Sequence, residues 1–213
     1  MPLSGCRNIL AAATIASLVL ICFSTFSPWF ALTSNDDDFN GRTLTSYVAP
    51  AYIMTSPLLL YSEKELYGSE DFCADSFNTN NDEQYIDNLC QKIRGTLIAL
   101  SFASVASLIA LILSTSALCC PSTVLFHAAG GFAVVATLAL VSAIAVFSSV
   151  DWRGFEVKIG MGLIDAGLAL ATSLVTVILG FVLGCKWRSN RRFRALRNDT
   201  QFLNNAPQVR VVA

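Results

Sequence analysis

The sequence predicts an all-α membrane protein, a four-transmembrane-helix bundle carrying a small strand-containing, disulfide-tied extracellular loop. Three observations predict it. The chain is 54% hydrophobic and only 14% charged over 213 residues, too apolar for an ordinary soluble domain. Its charges are segregated, with none from Asn8 to Asn35 and none from Gly95 to Val150. Acids gather in one loop and bases in the tail. A soluble bundle with fully buried central helices would need amphipathic helices to cover it, and the chain offers few such segments.

A helix needs roughly 20 apolar residues to cross a hydrocarbon core of about 30 Å. The first charge-free run supplies one crossing, the second two, and the run from Ala166 to Cys185 a fourth. The spans are placed at residues 9–32, 95–118, 123–149 and 160–185. Residues 1–8 form a short N-terminus, 33–94 the first loop, 119–122 a turn, 150–159 a second loop and 186–213 the tail. In the turn, Pro121 stops one helix and Ser122 is placed to cap the next.

Orientation follows from bases next to the spans, which resist translocation. Lys186, Arg188, Arg191, Arg192, Arg194 and Arg197 follow the last span against the single acid Asp199, and Arg7 precedes the first. The stretch from Thr33 to Lys92 holds 11 acids and only Arg42, Lys64 and Lys92 as bases. Both termini are therefore expected in the cytoplasm and the acidic loop outside, in a multi-pass protein of the plasma membrane. Trp29 and Trp152 fall at the expected outer interface and Trp187 at the inner one, where an amphipathic indole is favoured. The segment from Pro2 to Phe26 also has the basic start and apolar core of a secretory signal. Retention is expected, because the apolar run exceeds what a signal needs and no small-x-small cleavage site follows.

Of seven cysteines, only Cys73 and Cys90 fall in the outer loop. A pair alone in an oxidising compartment is expected to form a disulfide, worth about 3 kcal/mol in the chain-entropy model. Cys6, Cys119, Cys120 and Cys185 lie near cytoplasmic span ends and are candidates for palmitoylation, with small apolar helix residues as the equal alternative. The stretch from Thr43 to Tyr61 is β-branched and aromatic but interrupted by Pro50 and Pro57, which suits short strands. Such an ectodomain buries little by itself and should rest on the helix ends. Asn198-Asp199-Thr200 has the form of a glycosylation acceptor but lies in the cytoplasmic tail, where it would go unused.

Within the spans, Ala99 and Ala103, then Gly180 and Gly184, give small residues at four-residue spacing, as close helix packing in lipid requires. These are expected as internal seams, with a homo-oligomer face as the sharper reading. Asp165 is the single acid inside a span and the foremost intramembrane polar candidate. His127, the only histidine, has no second metal ligand at suitable spacing and reads as an interhelical or interfacial polar residue. The tail bases, with Trp187 and Phe193 among them, suit contact with anionic inner-leaflet lipid.

The long first outer loop, short second one and internal termini resemble the claudin and peripheral myelin protein superfamily, as do SPWFAL closing the first span and QKIRGTLIAL entering the second. Within that group, LCQKIRGTLIALSFASVASLIALILSTSALCC and KIGMGLIDAGLALATSL are similar to amastins, surface proteins of kinetoplastid parasites. The outer loop carries neither family's tryptophan-centred signature, so the resemblance implies a fold and a cell-surface location rather than barrier chemistry. No nucleotide loop, zinc motif, serine elbow or carboxylate pair appears, so no catalytic residue, metal, cofactor or nucleic-acid partner is expected. The partners expected are the lipid bilayer, further copies of the chain or other membrane proteins. The leading expectation is a non-enzymatic organiser of membrane or cell contacts acting through the acidic loop. A channel or transporter subunit, or an accessory subunit of a larger complex, is the alternative.

Overall fold

Helix α1 (Leu3–Phe26) ends where proline enters. A residue before proline is pushed out of the helical region. Ser27 N–H still donates to the Phe23 carbonyl at 2.8 Å, whereas Trp29 N–H crosses to the Val48 carbonyl at 2.7 Å. The first span was expected to run through Leu32. Instead the chain leaves the helix six residues earlier and becomes strand β1 (Phe30–Asn35). Apolarity alone does not separate a helix from a covered strand, which is why the sequence pattern ran on.

The computed structural model describes residues 3–35, 43–50, 52–56, 63–66, 83–150 and 156–204. Beyond β1 lie β2 (Thr43–Val48), β3 (Tyr52–Ser56) and β4 (Glu63–Leu66). The two strands β2 and β3 fill the β-branched stretch in which short strands are predicted. Helix α2 (Glu83–Cys119) and α3 (Thr123–Ser148) follow, then β5 (Glu156–Ile159) and α4 (Met161–Asn204). Ser122 caps α3 from an extended backbone, its hydroxyl accepting from Leu125 N–H at 3.2 Å.

The sheet is antiparallel throughout, ordered β4-β3-β2-β1-β5. Phe30 is the hub, paired with Val48 on one side and Ile159 on the other. Residues 150–159 were expected as a short second loop, with no strand assigned to it. They supply the edge strand instead, so both loops build one sheet. Four residues of EVKI are too few to show strand periodicity.

Four helices are long and apolar enough to cross a bilayer: Gly5–Phe26, Gln91–Cys119, Thr123–Ser148 and Met161–Asn190. They close a ring in which α1 packs on α2 and α4, and α3 on the same two. The interior is tiled with small residues, among them Ala103, Ala110, Ala129, Ala136, Ala143 and Ala169, while Phe23, Phe102, Leu138 and Ile178 are each more than half exposed. This inverts the arrangement of a soluble bundle. It is what helices need when their solvent is hydrocarbon and close backbone approach, not apolar burial, holds them together. The chain is an integral membrane protein.

Two helices outrun the bilayer. At 1.5 Å per residue, α2 is about 55 Å long and α4 about 66 Å, against roughly 30 Å of hydrocarbon. The excess of α2, carrying Glu83 and Asp87, stands at the sheet end; the excess of α4, carrying Arg191, Arg192, Arg194 and Arg197, extends from the opposite, terminal end. The basic tail is thus a continuation of the fourth helix as far as Asn204.

Candidate functional site

The sheet is seated on the bundle through Trp29. Its ring is fully buried, meets Phe147 edge-on at 4.8 Å between centroids, and donates from Nε1 to the Ser24 carbonyl at 2.8 Å. Phe30 stacks on the same Phe147 ring at 5.4 Å. Trp29 was expected at the outer interface; it stands just past the end of the first span, with its ring covered by protein. Because the helix stops at Phe26, the indole folds inward over the end of α3 rather than outward.

The start of α4 closes over Trp29. Gly160 N–H donates to the Trp29 carbonyl at 2.7 Å and Gly162 N–H to the Pro28 carbonyl at 2.9 Å. The Ser24 hydroxyl donates to the Gly162 carbonyl at 3.0 Å. A side chain at Gly160 would collide with the Pro28 carbonyl oxygen, and one at Gly162 with the Ser27 carbonyl oxygen and the Trp29 ring. Glycine at both places is what lets backbone lie directly on backbone. On the far side, Lys92 Nζ donates to the Ser149 carbonyl at 2.8 Å, placing a cation at the C-terminus of α3, where the helix dipole favours it. Sequence reasoning missed this assembly. Its signals were the glycines two apart in GMG at a helix start and the proline before Trp29.

Asp165 is half-buried in the first turns of α4, three residues beyond Gly162. It makes no hydrogen bond or ion pair among the described residues. Cys73 lies outside the described residues; Cys90 falls in the second turn of α2. Trp152 also lies outside them.

At mid-bundle, Ser173 Oγ lies 3.0 Å from Thr137 Oγ1 and 3.2 Å from the Ala133 carbonyl, a polar cross-link between α3 and α4. Ala103 is buried and Ala99 half-buried against the same core. Gly180 meets Gly130 so closely that a methyl group on it would lie 2.9 Å from the Gly130 Cα. One turn on, the His127 ring covers Gly184, at 2.8 Å from where a Cβ would stand, and tilts against Phe181 at 5.6 Å. His127 is therefore packed in the α3–α4 seam. Among the described residues, no three His, Cys, Asp or Glu side chains converge in a way that could hold a metal ion.

The terminal end carries Cys6, half-buried, and Cys119, Cys120 and Cys185, all exposed and free. Cys6 and Trp187 pack against a cluster of Leu10, Ala117, Phe126 and Leu183. Lys186 and Arg188 are exposed beside Trp187.

No protein-family model matches this chain, and no curated protein matches it either.

Proposed function

We propose that this protein is a non-enzymatic surface membrane protein that organises membrane or cell contacts through its acidic first loop. Both termini then lie in the cytoplasm and the sheet outside, at the plasma membrane. The observation that carries the proposal is the rigid seating of the sheet: β1 to β4 of the first loop and β5 of the second share one ladder, clamped by Trp29, Gly160 and Gly162 to the helix ends. The described strands of the loop are thus mounted on the bundle, next in sequence to the acidic segments that would make the contacts. A disulfide between Cys73 and Cys90, kinship with the claudin and peripheral myelin protein group, and lipid contact by the tail bases belong to the same proposal.

The test is to replace Glu70, Asp71, Asp75 and Asp82 with their amides in the full chain. Surface delivery, read with a tag on the tail, should be unchanged, while lateral clustering and adhesion between expressing cells fall. Undiminished clustering with normal delivery would sink the proposal.

Asp165, half-buried and without a partner among the described residues, favours a second reading, an oligomeric channel subunit. Asp165→Asn separates the two: altered conductance at normal surface level supports the channel, and no ionic change supports the organiser.

A further inference from the structure

At the terminal end of the bundle, two N–H donors are buried without an acceptor among the described residues: Arg7 Nε and Trp187 Nε1. An orphaned buried donor is unfavourable by about 1–3 kcal/mol, and by more when charged.

The two stand at the same end of adjacent helices. Leu10 of α1 and Leu183 of α4 share one buried cluster, and α1 packs directly on α4. Arg7 precedes Leu10 by three residues and Trp187 follows Leu183 by four. On a helix these spacings stack side chains on one face, so both residues stand one turn beyond the cluster that Leu10 and Leu183 share. Cys6 and Trp187 close over the cluster from the two helices.

The surroundings are cationic. Lys186 and Arg188 are exposed on either side of Trp187. No acid occurs on α1 or α3, nor on α2 after Asp87; on α4 the next acid past Trp187 is Asp199, about 18 Å further along the axis. The helices bring no carboxylate to the two donors. What fits is an external oxyanion: a guanidinium forks phosphate oxygens, and an indole N–H adds a further donor to the same group. Both residues are only half-buried, so a side-chain rotation opens their donors to a ligand entering at the membrane–water boundary.

We propose that Arg7 and Trp187 form a binding site for one phosphate oxyanion, that of an anionic phospholipid headgroup held between α1 and α4. It differs from diffuse attraction by the tail, because two N–H groups at a fixed place define a stoichiometry. It rests on the chain spanning a bilayer and not on the contact-organising reading, so either can fail alone.

The full-length protein, delipidated in uncharged detergent, is titrated with phosphatidylglycerol, phosphatidylcholine and inorganic phosphate, and retained ligand is counted by native mass spectrometry. Wild type should hold one phosphatidylglycerol in preference to phosphatidylcholine. Arg7→Gln and Trp187→Phe should each weaken it by about tenfold or more, and Lys186→Gln and Arg188→Gln by less than about twofold. Arg7→Lys keeps the charge but loses the fork, and should bind between wild type and Arg7→Gln; it serves should the Gln variant lose its cooperative melt. Inorganic phosphate displacing the lipid with the same residue dependence supports the oxyanion site and identifies a soluble source as sufficient. Equal affinity in wild type, Arg7→Lys and Trp187→Phe, or no retained lipid and no bound phosphate in wild type, overturns it.

Discussion

Gly162 lies against Trp29 so closely that a methyl group on the glycine would stand 2.5 Å from Cδ1 of the indole. Neither partner has room to yield. Trp29 is held by Phe147 and by its bond to the Ser24 carbonyl, and the glycine by its own bonds to Pro28 and Ser24. Gly162→Ala should therefore destabilise the protein by about 1–3 kcal/mol, as overpacking does. Gly167→Ala, in the same helix but with open space around it, should cause no loss. Thermal unfolding of both variants in one detergent checks the pair.

Replacing Trp29 by Phe keeps much of the apolar ring but removes the Nε1 donor, leaving a buried Ser24 carbonyl short of a partner. The expected loss is about 1–3 kcal/mol. In the wild type, the emission of Trp29 should resist aqueous quenchers, and a Trp152→Phe, Trp187→Phe background isolates that signal.

Ser173 and Thr137 join α3 to α4 inside the hydrocarbon. Bonds of this kind contribute about 0.6 kcal/mol on average, because an unfolded helix in lipid also finds partners for its hydroxyls. Ser173→Ala and Thr137→Val should each be mild. A double-mutant cycle on unfolding in mixed micelles should give a coupling below about 2 kcal/mol.

The proposed Cys73–Cys90 bridge closes the segment entering α2. Alkylation before and after reduction should label Cys73 and Cys90 only after reduction, while Cys119, Cys120 and Cys185 label at once. Reduction should then lower stability by about 3 kcal/mol. Immediate labelling of Cys73 in the oxidised protein would rule out the bridge.

The four crossings were legible because hydrocarbon excludes charge, and charge-free runs are visible without knowing any contact. Their ends were not. Phe30 to Leu32 is as apolar as the helix before it, and only the pairing of Phe30 with Val48 and Ile159 makes it a strand. Glu83 to Gln91 carries charge, so it was read as loop although α2 starts there. The burial of Trp29 was not legible, because its residue type speaks only for interfaces, while its covering by protein depends on where Pro28 stops α1. Gly180 and Gly184 were legible as packing residues from their spacing, but their partners Gly130 and His127 were not, since spacing in one helix carries no information about the helix opposite. Arg7 entered the sequence reading only as a charge that orients the chain. That its Nε is buried without an acceptor among the described residues is not visible from charge alone, since it depends on the packing of α1 against helices distant in sequence.

The position of β5 at the edge, beside β1, sets an order of assembly. Residues 30–35 leave the ribosome early, yet the strand that completes their ladder precedes the fourth helix, the last to be inserted. Until β5 emerges and pairs, β1 exposes a row of unpaired backbone groups on that side, a surface prone to pairing with other chains. A nascent or truncated molecule lacking β5 is thus marked by an open β1 edge that the finished one covers.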